Sequence, residues 1–215
     1  MVGRTGAGKS SSLRLLGGLY APWSGSVRIA GEDPSSLTEE DWRRLIGVVP
    51  QVVQLFSGTV FDNLTLGDES VSREAVRRAA TVAGSDSFIQ NLPNGYDTML
   101  GRGVDLSGGQ RQLLALARAL VWDPAVLLLD EATAAIVSAS EAAFRAALRA
   151  SVSSQDRAVL TVAHRLSTAR EADQVLVMEE GTPEDLMRRQ GRFAALLELE
   201  AAGRDWRVNG RTLSQ

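Results

Sequence analysis

Gly3, Gly6, Gly8, Lys9 and Ser10 have the types and spacing of a phosphate site. In Gly3-Arg4-Thr5-Gly6-Ala7-Gly8-Lys9-Ser10, followed by Ser11, the glycines let backbone N–H groups turn inward around phosphate oxygens. Lys9 then reaches the β- and γ-phosphates, and the Ser10 hydroxyl is an oxygen ligand for Mg²⁺. A helix over 11–16 would aim its positive end at the anion. Context gives such a loop its force, normally a buried strand before it; only Met1 and Val2 precede this one.

A second constellation lies in AVLLLDE at 125–131. It reads as a buried strand ending in Asp130, which would hold Mg²⁺, often through water. Glu131 is placed to orient or deprotonate an attacking water. Alone, the same letters also describe a core strand running into a solvated acidic loop. A third is Leu106-Ser107-Gly108-Gly109-Gln110, ahead of an amphipathic stretch. Its serine and backbone amides make a second helix start suited to a phosphate, or simply a capped helix after a glycine-rich loop.

The elements that must position these groups follow from hydrophobic periodicity. Apolar runs at 45–49, 126–129, 159–163 and 175–178 predict buried parallel strands. Helical spacing joins Val76, Ala79, Ala80 and Ala83, then Leu113, Leu116, Ala117, Leu120 and Val121, then Phe144, Ala147 and Leu148. Thr182-Pro183-Glu184-Asp185 has the composition of a helix start, and the helix it opens would bury Leu186, Phe193, Leu196 and Leu197. Strands alternating with helices predict an α/β sheet. No convincing strand lies between 62 and 122, which predicts a mainly helical lobe there.

In open parallel sheets, ligands bind beyond the carboxyl ends of the strands. Gln51 follows GVVP, Asp130-Glu131 follows VLLL, and His164 follows VLTVA. The pattern therefore gathers Gln51, Asp130, Glu131 and His164 on one edge, although a single glutamine or histidine after a strand is also an ordinary loop residue.

Composition bounds the alternatives. With 215 residues, 44% of them hydrophobic and 23% charged, the chain suits one soluble domain with an inserted lobe. A net charge of −3 gives no basic footprint for nucleic acid. Without cysteine there is no disulfide or thiol chemistry. The longest clean apolar run, 125–129, falls far short of the roughly 20 residues that span a bilayer. No secretory signal opens the chain, and the body reads as cytosolic.

Taken together, the motifs resemble the ATP-binding cassette (ABC) family. LSGGQRQLLALARAL is similar to the family's signature and signature helix, VVPQ carries its Q-loop glutamine Gln51, and TVAHRLST carries its switch histidine His164, the only histidine in the chain. LFSGTVFDNL and GYDTMLGRG resemble the exporter branch. The resemblance covers nearly all of residues 2–200. It implies a P-loop NTPase fold, a mostly parallel sheet flanked by helices, with an inserted helical subdomain over about 62–122 and a tail over 201–215. It implies ATP bound by Gly3, Arg4, Thr5, Gly6, Ala7, Gly8, Lys9, Ser10 and Ser11, with Mg²⁺ on Ser10, Gln51 and Asp130. Glu131 would be the base, His164 would contact the γ-phosphate, and Gln51 would touch the metal or the water. Two such domains, identical or different, would pair head-to-tail. Leu106, Ser107, Gly108, Gly109 and Gln110 of one would then meet the nucleotide of the other. The pair would drive the transmembrane domains of an exporter from the cytoplasmic face of the cell membrane. A nucleotide-binding remnant without effective hydrolysis stands as the alternative. A soluble ATPase of the family, working on nucleic acid or ribosomes, would bring long insertions, a basic face or a tandem cassette.

The chain departs from the family pattern in three places. The strands and adenine-stacking aromatic expected before the loop are missing, which suggests the tail of a longer protein or a mis-started frame, with Met1-Val2 as the last remnant of a central strand. Losing that strand would forfeit roughly 1.5–3 kcal/mol per large buried side chain. Val137 stands where the family usually has an aspartate, and valine cannot accept the carboxylate's hydrogen bonds. Finally, Glu180-Gly181-Thr182 runs straight into the TPEDL helix where a further short strand is expected.

Overall fold

In chain order the elements are β1 (Val2–Gly3), α1 (Lys9–Leu16), α2 (Glu39–Leu45), β2 (Ile46–Val49), β3 (Gly58–Thr59), α3 (Val60–Thr65), α4 (Arg73–Val82), α5 (Asp86–Gln90), a 3-10 turn (Gly95–Asp97), β4 (Met99–Leu100), α6 (Gly108–Leu120), β5 (Val126–Asp130), α7 (Ser138–Ser153), β6 (Ala158–Val162) and β7 (Val177–Met178). The computed structural model describes residues 1–3, 6–101, 104–130, 138–153, 157–163, 172–178, 187–191 and 194. They fall into two units, one of residues 1–12 with the described residues from 162 onward, the other of residues 13–161. No helix among the described residues is long and apolar enough to cross a membrane.

In the first unit β1 pairs in parallel with β7, Val2 opposite Val177 and Gly3 opposite Met178. The Val2 N–H donates to the Leu176 carbonyl at 2.8 Å, and the Ala163 N–H to the Met1 carbonyl at 2.9 Å. Gly3 has to be glycine: a Cβ there would sit 2.4 Å from the Met178 carbonyl oxygen.

In the second unit β2 and β5 pair in parallel, with Ile46 opposite Val126 and Val49 opposite Leu129. With β6 they give the order β2-β5-β6. Parallel neighbours need long crossovers, and the β2-to-β5 crossover holds α3 to α6. Its centre is α6, which packs against β2, α3, α4 and α7. The reason lies in its sequence. Leucine and alanine are strong helix formers, and Leu113, Leu114, Ala115, Leu116, Ala117, Ala119 and Leu120 are all buried. Each large side chain buried there contributes roughly 1.5–3 kcal/mol. The core continues through Val76, Ala79 and Ala80 of α4, Phe144 of α7, and Leu127 and Leu129 of β5.

The expected strands are present with shifted limits. Leu45 closes α2 rather than opening β2, and only Val177–Met178 of the 175–178 run is a strand. Val175, Leu176 and Val177 are exposed, so the burial expected there is not found. The helix of the glycine loop begins at Lys9, two residues earlier than expected. The stretch 62–122 carries α4, α5, α6 and most of α3, but it also holds β4, which pairs antiparallel with β3. Two residues are too few to show an alternating pattern. The TPEDL helix start, the Glu180-Gly181-Thr182 turn, Val137 and the 201–215 tail lie outside the described residues.

Candidate functional site

The glycine loop belongs to the first unit and joins β1 to α1. Gly6 and Gly8 have φ of 88° and 86°, in the left-handed region where a side chain is strained. Lys9, the first residue of α1, folds back over the loop. Its Nζ donates to the Gly3 carbonyl at 2.9 Å, and the residue is only 5% exposed. A cation is thus held inside its own loop, at the helix end where backbone N–H groups lack intrahelical acceptors. Ser12 ties the first turn down, its hydroxyl and N–H both donating to the Gly8 carbonyl at 3.0 and 2.8 Å. Arg4 and Thr5 lie outside the described residues.

In the second unit, the register that sets Val49 beside Leu129 sends two chains out over one edge. Gln51 follows β2 by two residues and is exposed; Asp130 ends β5 and is half-buried. The structure therefore brings Gln51 and Asp130 to the same edge, as the apolar runs predict. Glu131 and His164, expected beside them, lie outside the described residues.

Leu106–Gln110 form the start of α6. Ser107 is the N-cap of a reciprocal box: its Oγ accepts from the Gln110 N–H at 3.2 Å, and the Gln110 Oε1 accepts from the Ser107 N–H at 2.9 Å. Buried Leu106 anchors the approach, with its carbonyl accepting from Arg111 Nε at 2.9 Å. Ser107 and Gly108 are exposed, and the first-turn amides of Gly108 and Gly109 point out of the helix end by its geometry. The local fold thus offers an anion a hydroxyl and two amides on a rigid helix.

Three residues around this edge were not singled out from sequence. Gln112, one turn into α6 and 4% exposed, donates from Nε2 to the Gln51 carbonyl at 3.3 Å. Arg118 donates to the Asn63 carbonyl at 2.7 Å and the Gln54 carbonyl at 3.2 Å, with its guanidinium over the Phe56 ring. Burial pulls the Arg118 pKa below the usual arginine value, but a guanidinium stays charged in proteins. Buried Asn63 closes the loop by accepting from the Phe56 N–H at 2.8 Å and donating back to the Phe56 carbonyl at 2.9 Å. Arg118 is the one of the three with a local mark, a charged residue set between Ala117 and Ala119 in an apolar helical run, whereas Gln112 closes the polar stretch Gln110-Arg111-Gln112.

Comparison with known proteins finds that residues 1–134 match the family model described as ABC transporter. The chain is 42% identical over 207 residues to P-glycoprotein 14 of Caenorhabditis elegans, a match covering 93% of this chain and 15% of that protein. It is 42% identical over 209 residues to the ATM1-type heavy metal exporter of Novosphingobium aromaticivorans, covering 94% of this chain and 34% of that one. A solved structure of a bacterial Atm1-family ABC exporter with ATP bound matches with a TM-score of 0.72 and 40% identity, over 97% of this chain and 37% of that chain. The chain thus spans only 15% and 34% of the length of these two curated relatives.

Proposed function

The chain belongs to the ABC transporter family, and from that premise we propose that it is the ATP-binding and ATP-hydrolysing part of an exporter, paired with a second nucleotide-binding domain and coupled to transmembrane domains at the cytoplasmic face of the membrane. The observation that carries this reading is Lys9, buried at a helix start with its ammonium on the Gly3 carbonyl inside a loop of left-handed glycines. A triphosphate entering that loop offers the ammonium anionic oxygens, and hydrogen bonds between ionised groups are short and strong. The α1 amides add the helix end's positive charge.

In this reading Gly3 to Ser11 hold the phosphates. Ser10, Gln51 and Asp130 offer a hydroxyl, an amide oxygen and a carboxylate, all hard oxygen donors of the kind Mg²⁺ takes. No cluster of three acidic, histidine or cysteine ligands exists among the described residues. Mg²⁺ is usually held by one or two protein carboxylates together with water and substrate phosphates. When bound, Mg²⁺ neutralises charge on the β- and γ-phosphate oxygens. Glu131 takes a proton from the attacking water, His164 hydrogen-bonds the γ-phosphate, and Gln51 orients the water or the metal. The capped start of α6 supplies Ser107, Gly108 and Gly109 to the partner's nucleotide. The stretch 62–122 is the helical subdomain that carries it. Ser107 Oγ needs only its lone pair for Gln110, so the hydroxyl proton is available to a phosphate oxygen.

Thermal denaturation of the full chain tests this. MgATP at 100 times its dissociation constant adds about 2.7 kcal/mol to a protein that binds it, so the melting temperature rises. Lys9→Ala abolishes the rise. Glu131→Gln keeps it and loses turnover. A wild-type melting temperature that MgATP does not move refutes the proposal.

A further inference from the structure

Gln112 is a polar side chain in a place built for an apolar one. It lies in α6 beside Leu113 and Leu114, is 4% exposed, and its Oε1 has no hydrogen-bond donor among the described residues. A leucine there would pack without stranding an acceptor, whereas burying an unpaired polar atom is costly. What glutamine does and leucine cannot is donate to the Gln51 carbonyl. The amide orientation is fixed by that bond, because the opposite flip would face two acceptors. Farther along the same helix, Arg118 holds the Gln54 and Asn63 carbonyls. The segment from Gln51 to Asn63 therefore hangs from α6 at both ends.

We propose that Gln112 is a positioning residue for ATP hydrolysis: it fixes the main chain at Gln51 to the same helix whose capped start carries Ser107, so that a displacement of α6 on docking of a partner moves Gln51 with it. Five residues of one helix separate Ser107 from Gln112, about 7.5 Å at the helical rise of 1.5 Å per residue, a span too short to bend appreciably. In this role Gln112 acts through the Gln51 main chain, which it holds by its Nε2. The inference rests on the reading in which Gln51 meets the metal or the attacking water.

The test is a double-mutant cycle in the full chain, read by steady-state MgATP hydrolysis and by amide hydrogen exchange. Gln112→Met keeps the length of the side chain and removes the donor. The expected result is a fall in kcat of up to about tenfold, the value of one net hydrogen bond, with KM for MgATP unchanged. Exchange is faster at residues 51–54 and unaltered in α1. In a Gln51→Ala background, Gln112→Met causes no further loss. Gln112→Asn, which is too short to reach, gives the same pattern and serves if the methionine variant does not fold. Equal losses in both backgrounds overturn the proposal, as does unchanged exchange at 51–54. If Gln51→Ala impairs turnover while Gln112→Met does not, this proposal alone fails. If Gln51→Ala turns over normally, the role of Gln51 fails and this proposal with it.

Discussion

Gly47 of β2 faces the α6 backbone where a side chain has no room. A Cβ at that position would lie 2.7 Å from the Ala119 carbonyl, 2.7 Å from a Leu127 methyl and 2.8 Å from the Pro124 ring. Two of these neighbours are held by the sheet and by a helix end, so neither gives way cheaply. Gly47→Ala is expected to destabilise the chain by about 1–3 kcal/mol, the usual cost of overpacking, measured as a lower denaturation midpoint at unchanged m-value. In the proposed function its effect on turnover should be the larger, because the helix that Gly47 meets at Ala119 is the one that carries Ser107 at its start. Arg157 illustrates a different way of filling space. Its guanidinium, almost wholly buried, bonds the Pro124 carbonyl at 2.6 Å, the Ser151 carbonyl at 2.7 Å and the Asp123 carboxylate. It fastens the turn before β5 to the end of α7 and the start of β6, and it has no part in the proposed chemistry.

Among the elements, α6 is core along most of its length and, in the proposed function, a binding surface at its start, where Ser107 meets both demands. Ser107 both caps the helix and, in the proposed function, donates to a partner's nucleotide. Replacing an N-cap serine by alanine costs typically about 1 kcal/mol, but by glycine only a few tenths. Ser107→Gly should therefore melt within a degree or two of wild type, whereas Ser107→Ala melts lower, and both should lose turnover. Thermal scans beside ATPase assays distinguish these outcomes; a glycine variant that hydrolyses ATP normally would reduce Ser107 to a cap. This helix was readable in advance because its apolar positions recur at a single period. So were β2, β5 and β6, whose apolar runs fix the strand centres while leaving the ends uncertain by a residue. The helix α2 was not readable. EEDWRRL offers two apolar side chains, Trp42 and Leu45, too few for an apolar stripe. It is held instead by the Thr38 cap, by the Glu39–Arg43 and Glu40–Arg44 pairs, and by the Trp42 indole donating to the Gly17 carbonyl. The contacts of Gln112 and Arg118 were hidden for a related reason. They join residues 61, 64 and 55 positions apart, and nothing local in sequence records such a meeting.

At the scale of the whole molecule, the proposed site is divided between two chains, and this has a consequence that no single-chain site shares. In a two-fold pair each nucleotide lies between the Lys9 loop of one copy and the Ser107 turn of the other. Lys9→Ala removes one half of each site and Ser107→Arg the other, so either variant alone is dead. Mixed in one dimer, they leave one site with both halves defective and one with both intact. An equal mixture of the two inactive proteins should then recover hydrolysis, to about a quarter of the wild-type rate if copies exchange at random and one intact site suffices. The recovered rate should rise with total protein concentration, since assembly is by mass action. If the lysine loop and the serine turn served one nucleotide within a single chain, every chain in the mixture would carry a broken site and no activity would return.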